Sequence, residues 1–214
     1  PGGKDGSVTT KNTKRTKHRE KDLKADDIST ILIVGAGTMG HQIGFQCAVS
    51  GYDVILHDIQ QELLDSAQQR LGKLARIYMK SGRLDQQGAD ESLARIRTDT
   101  DPEQAGKSAD FISESVPEDP ELKGKVFARF NDICPAHTVF TTNTSSLLPS
   151  MFAEATGRPD RFAAFHFHDI RYNNIVDVMP HPETSQETVA AFEAFARRLG
   201  QVPIVLRKEN NGYV

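Results

Sequence analysis

The chain has 214 residues, 37% of them hydrophobic and 26% charged, with a formal net charge of −3. That length supports one substantial core, and no apolar run nears the roughly 18–20 residues a membrane span needs. Two cysteines, Cys47 and Cys134, encode neither a disulfide framework nor a cysteine-rich zinc site. The expected setting is therefore a reducing compartment, the cytoplasm, with no membrane partner and no resident metal.

Residues 1–28 carry 8 Lys/Arg and 5 Asp/Glu with almost nothing to bury, the composition of a solvated basic tail. The remainder has 18 basic and 24 acidic residues, which argues against a nucleic-acid-binding body. "TILIVGAG" is a continuous β-branched run ending in glycines, as expected of a strand buried on both faces. Residues 38–50 read as a helix, "YDVILHD" as a second strand, and residues 61–80 as an amphipathic helix. Next come "ADFISESV" as a strand, "PELKGKVFARFNDIC" as a helix opened by Pro120, and "HTVFTTN" as a strand. "RFAAFHF" and "IVDVMP" read as strands. "SQETVAAFEAFARRLG" is a helix with a Ser cap and a closing Gly, and "QVPIVLR" is a last strand. This alternation predicts an α/β fold: a doubly wound, mostly parallel Rossmann-type sheet over residues 29–207, with helices on both faces.

"GAGTMG" places Gly35, Gly37 and Gly40 in a GxGxxG pattern between the first strand and its helix. The first Gly permits a tight turn, the second lets backbone approach a pyrophosphate, and the third lets helix pack on strand. Gly35, Gly37, Thr38, Met39 and Gly40 are thus candidate dinucleotide contacts, with helix N–H groups aimed at the phosphates. Asp58 ends the second strand 23 residues after Gly35. Its carboxylate can accept hydrogen bonds from a ribose 2′-OH and repels a 2′-phosphate, which favours NAD over NADP. A glycine turn of this kind also serves FAD or S-adenosylmethionine, so the turn alone is weak.

Further groups fall at strand ends, where open α/β sheets bind ligands: Glu114, Glu118 and Lys123 in "ESVPEDPELK", Asn143 and Ser145 in "NTSSL", and His166 in "HFHDI". With these motifs in order, the sequence resembles the L-3-hydroxyacyl-CoA dehydrogenase family over residues 30–214. The resemblance implies NAD as cofactor, with contacts at Asp58, Glu118 and Lys123, the last two near the nicotinamide ribose. It implies Ser145 as a contact to substrate and cofactor, Asn143 beside it, and His166 as catalytic base. Asp177 falls in "IVDV", where the family carries Leu-Val-Glu-Val, and is the candidate partner of His166. Lys73, Arg76 and Lys80 lie in the region the family uses near CoA phosphates. The chemistry agrees: an imidazole can take the 3-hydroxyl proton near neutrality, and a carboxylate on its other nitrogen fixes the tautomer.

The implied activity is NAD-dependent interconversion of a 3-hydroxyacyl-CoA and its 3-ketoacyl-CoA. Three departures matter. The family's Phe-Asn-Pro after the His is His168-Asp169-Ile170. The acid comes one residue early and is Asp, which weakens the pair unless the backbone moves closer. Finally, Gly212-Tyr213 match the start of the family's helical second domain, expected from 208 onward, through which a homodimer is implied. These departures keep open a dehydrogenase of a free 3-hydroxy acid, and a non-catalytic NAD-binding module.

Overall fold

The computed structural model describes residues 25–211. Residues 1–24 of the expected tail, and residues 212–214 at the expected start of a second domain, lie outside the described residues. The first half of the chain forms β1 (Thr30–Val34), α1 (Gly40–Val49), β2 (Asp53–His57), α2 (Gln61–Lys80), α3 (Gln86–Ala94), β3 (Ile96–Asp99), α4 (Pro102–Gly106) and β4 (Phe111–Glu114). There follow α5 (Pro120–Ile133), β5 (Val139–Thr142), β6 (Phe162–Phe167), β7 (Ile175–Met179), α6 (Gln186–Arg198) and β8 (Val202–Val205). The eight strands make one sheet in the order β3-β2-β1-β4-β5-β6-β7-β8. Every neighbouring pair is parallel except β6 and β7.

The expected doubly wound, mostly parallel sheet is therefore present, and β1 shows why its sequence reads as unbroken apolar. Ile31 and Ile33 point to one face, into a core with Phe45, Leu71, Phe111 and Phe192. Leu32 and Val34 point to the other, into a core with Phe127, Phe130, Phe140 and Phe162. Both faces of the strand are buried, so no polar alternation is permitted. Phe111 packs its ring against Phe165, Phe192 and Phe195 at centroid separations of 5.8, 5.7 and 4.6 Å.

Helix starts follow the local chemistry. Asp119 accepts from the backbone N–H of Glu121 and Leu122 ahead of Pro120, and Ser185 accepts from Thr188 N–H, each satisfying amides that lack an intrahelical partner. At the far end of α6, Gly200 has φ +70°, the left-handed conformation that ends helices cheaply.

Two features differ from the sequence reading. The expected tail boundary at residue 28 falls inside packed structure: Ala25 and Ile28 are buried, and Ala25 O accepts from Arg198 Nη1 at 3.3 Å. Residues 86–106 also carry two helices and an edge strand that the apolar pattern did not signal. β3 is only partly buried and α4 has five residues, so neither needed an apolar run.

Candidate active site

β1 lies between β2 and β4, so successive crossovers leave it in opposite directions and open a crevice at the carboxyl ends of these strands. The glycine turn sits there. Gly35 has φ +102°, and a Cβ on it would lie 2.7 Å from Ser115 O. A Cβ on Gly40 would lie 1.8 Å from Gly35 O, so the helix meets the turn in contact. A Cβ on Gly37 would meet nothing within 4 Å, which leaves open space beside the turn's backbone. No side chain caps the N-terminus of α1, and its first amides remain available to an anion. Thr38 and Met39 complete the turn; Thr38 O accepts from Gln42 Nε2 at 3.1 Å.

Asp58 is fixed at the end of β2. Its Oδ2 accepts from Ala36 N at 2.9 Å and its Oδ1 from Gln60 N at 3.2 Å. A mainly apolar cleft of about 680 Å³ runs from Gly35 and Gly37 past Asp58 to Val116, Leu122 and Arg129. Beside it His57 Nδ1 donates to Asp99 O at 2.9 Å; burial lowers its pKa, and it stays a strand residue. The open Gly37, the uncapped helix and the positioned Asp58 fit a dinucleotide.

The next strand ends carry a buried polar cluster. Lys123 is 1% exposed, and its Nζ reaches Glu114 Oε1 at 2.7 Å, Val116 O at 3.3 Å and Glu118 Oε2 at 3.3 Å. It is a buried ion-pair partner and not a solvated helix residue. Burial pushes the Glu114 pKa up against the pull of Lys123. Glu118 Oε1 accepts from the Thr144 hydroxyl, from Ser145 N and Ser146 N at 3.1 Å each, and from Ser146 Oγ at 2.9 Å. Partial burial would raise its pKa, but the hydrogen bond from Thr144, the charge of Lys123 and the bond from Ser146 outweigh that and bring it to about 2. Glu118 thereby holds the "NTSSL" loop and leaves Ser145 exposed at its tip.

Asn143 closes the gap to the next strand. β5 and β6 pair only as far as Thr142 and Ala164; beyond that, Asn143 Oδ1 accepts from Phe167 N at 2.8 Å. His166 is thus set next to Asn143. In the antiparallel register of β6 and β7, His166 lies directly opposite Asp177. Their side chains share a face, and Asp177 Oδ2 accepts from His166 Nδ1 at 3.2 Å. The early, short Asp reaches the ring because the strands place it across the ladder. His168, two residues on and on the same face, donates its Nε2 proton to the same Oδ2 at 2.9 Å. Asp177 is 0% exposed.

Other sequence candidates stand apart. Lys73, Arg76 and Lys80 lie on the exposed face of α2. The C-terminal end of that helix is near the site, since Arg83 Nη1 donates to Ile170 O at 3.3 Å. Sequence reasoning did not assign Thr144, His168 as a second partner of Asp177, or His41. His41 lies in the first turn of α1 with Nδ1 2.7 Å from Gly37 O, and burial lowers its pKa. For His168 the signal was present, because two histidines spaced by one residue on a strand share a face.

A family model described as "3-hydroxyacyl-CoA dehydrogenase, NAD binding domain" matches residues 30–210. Among curated relatives, the chain is 32% identical over 193 residues to the mitochondrial hydroxyacyl-coenzyme A dehydrogenase of Rattus norvegicus, covering 87% of this chain and 61% of that one. Among solved structures, a diketoreductase acting on dicarbonyl compounds is 40% identical with TM-score 0.84, covering 87% of this chain and 67% of that one. The (S)-3-hydroxybutyryl-CoA dehydrogenase PaaH1 of Ralstonia eutropha is 31% identical with TM-score 0.83, covering 87% and 66%. The chain spans between 27% and 61% of the length of the curated relatives it matches. Among the described residues, no helix is long and apolar enough to cross a membrane.

Proposed function

Because this chain belongs to the 3-hydroxyacyl-CoA dehydrogenase family as its NAD-binding domain, we propose that the protein interconverts a 3-hydroxyacyl-CoA and its 3-keto form with His166 as the base. The observation that carries this reading is the His166–Asp177 pair at the crevice edge. Gly35, Gly37, Thr38, Met39 and Gly40 would hold the pyrophosphate, Asp58 the adenosine ribose, and Glu118 with Lys123 the side nearest the nicotinamide. When bound, NAD supplies the hydride acceptor.

The chain's own residues handle the proton and the orientation. Asp177 accepts a hydrogen bond from His166 Nδ1, which leaves the Nε2 lone pair as the acceptor for the substrate hydroxyl proton. In the reductive direction the same nitrogen returns it. The charge on Asp177 stabilises the imidazolium while the proton is held. Ser145, presented by the Glu118-anchored loop, donates to the substrate oxygen as carbonyl character develops. Asn143 keeps the ends of β5 and β6 together so that Ser145 and His166 face one substrate. Lys73, Arg76 and Lys80 offer cationic partners for CoA phosphates. The homodimer that the resemblance implies, and the cytoplasmic setting expected from the cysteine content, belong to this proposal as well.

A second reading has a specific observation in its favour: the 40% identity to a diketoreductase, together with His168-Asp169-Ile170 beside the base. On that reading the substrate is a free 3-hydroxy or dicarbonyl compound. The discriminating experiment is NADH formation and consumption across matched pairs, each a thioester and its free acid. Turnover of 3-hydroxybutyryl-CoA without turnover of free acids supports the first reading, and the reverse pattern replaces it with the second. His166→Gln should lower the rate about 10²–10⁴-fold on whichever substrate is used; a rate that survives the change removes His166 as base.

A further inference from the structure

We propose that His166, His168 and Asp177 form a binding site for a divalent first-row transition metal, zinc foremost. His168 follows the end of β6 in extended chain, its N–H donating to Ile175 O at 3.4 Å, so it shares a face with His166, and β7 brings Asp177 directly opposite His166. Both imidazoles therefore converge on one carboxylate, 3.2 and 2.9 Å from Oδ2, with ring centroids 4.9 Å apart. One ligand-capable atom from each residue lies within 4.8 Å of the others. Around a tetrahedral zinc with bonds of about 2.0–2.1 Å, ligand atoms stand roughly 3.3 Å apart, so small ring rotations close the set.

A second observation concerns the same carboxylate. Asp177 is wholly buried, yet its Oδ1 has no hydrogen-bond partner. Two rings crowd one oxygen of the carboxylate while the other is left unsatisfied, an arrangement unfavourable for a buried acid. A cation bound among the three residues would engage that carboxylate directly. The histidine side chains are 13% and 25% exposed, so the cluster is not sealed from solvent. Two imidazoles and one carboxylate suit zinc and its first-row neighbours, whereas magnesium and calcium prefer oxygen ligands throughout.

One consequence rests on the proposed role of His166. Coordination through the Nδ1 that now faces Asp177 uses that nitrogen's lone pair and puts the ring proton on Nε2. The ring then has no lone pair with which to accept a substrate proton, so zinc occupancy and turnover exclude each other.

The test is a zinc titration of the tag-free protein against a chromophoric chelator. We expect one saturable zinc per chain, with His168→Ala weakening its affinity by roughly tenfold or more. NAD affinity serves as the fold control. His137→Ala, which alters an exposed histidine paired to Asp110, should leave zinc affinity unchanged. Absence of saturable binding, or equal affinity in the wild type and His168→Ala, overturns the site. A parallel assay would read NADH-linked turnover with zinc bound. Inhibition reversed by chelator supports the exclusion, whereas full turnover of protein with zinc at these residues leaves the site standing and removes His166 as base.

Discussion

Asp177 carries more than its neighbours because it is buried and serves two rings through one oxygen. Asp177→Asn keeps the shape but presents an amide where the rings need an acceptor, and it removes the charge that stabilises the imidazolium. Turnover should fall about 10²–10⁴-fold while NAD affinity changes little, as initial rates and an NAD titration would measure. The His166–Asp177 pairing was legible in the sequence once "IVDV" was set beside the family pattern. Its geometry was not, because an interval of 11 residues does not disclose which strand positions face each other. Lys123 was the harder residue. The family pattern marks it as a cofactor contact, and only the fold shows the two glutamates that make its burial tolerable.

At the scale of elements, the loop after β5 depends on Glu118. Its folded pKa of about 2 lies below its ordinary value of 4.5, so the unfolded chain binds its proton first as pH falls. The contribution is fully present above about pH 4.5 and is lost as pH falls through about 2. For a group about a third exposed, solvent screening leaves on the order of 1 kcal/mol. Glu118→Gln should flatten the drop in thermal midpoint over that window; an unchanged slope would count against the assignment. The glycine turn offers a paired prediction. Gly40→Ala forces a Cβ onto Gly35 O and should cost about 1–3 kcal/mol as α1 is pushed off the turn. Gly37→Ala meets no protein atom, so it should fold normally and lose NAD affinity, a separation that thermal melts and NAD titration would reveal. The strands buried on both faces and the longer helices were readable because continuous apolar runs and a one-sided apolar stripe each leave a composition. The edge strand β3 and the short α4 were not, since elements that bury little leave little pattern.

The whole molecule is a sheet with a core on each face, and the cofactor crevice forms where β1, β2 and β4 meet. The groups proposed to hold NAD are brought together only in the folded sheet, so its binding should stabilise the protein as a unit, by about 2.7 kcal/mol at a concentration 100 times its Kd. NADP should raise the thermal midpoint less, and Asp58→Ala should narrow the difference; equal shifts from both cofactors would remove Asp58 from ribose recognition. The single antiparallel pair in this sheet has a different kind of consequence. The facing of His166 and Asp177 is set by the β6–β7 ladder, not by the length of residues 168–174 between the strands. A residue gained or lost within β7 would turn the acid to the opposite face, whereas a change in the connection, where Tyr172 is 78% exposed, leaves the pair in place. The connection can therefore diversify in length and chemistry while the pair persists. With His166 as the proposed base, the pair and the connection can vary independently, and a library at residues 171–174 should leave the His166–Asp177 contact intact.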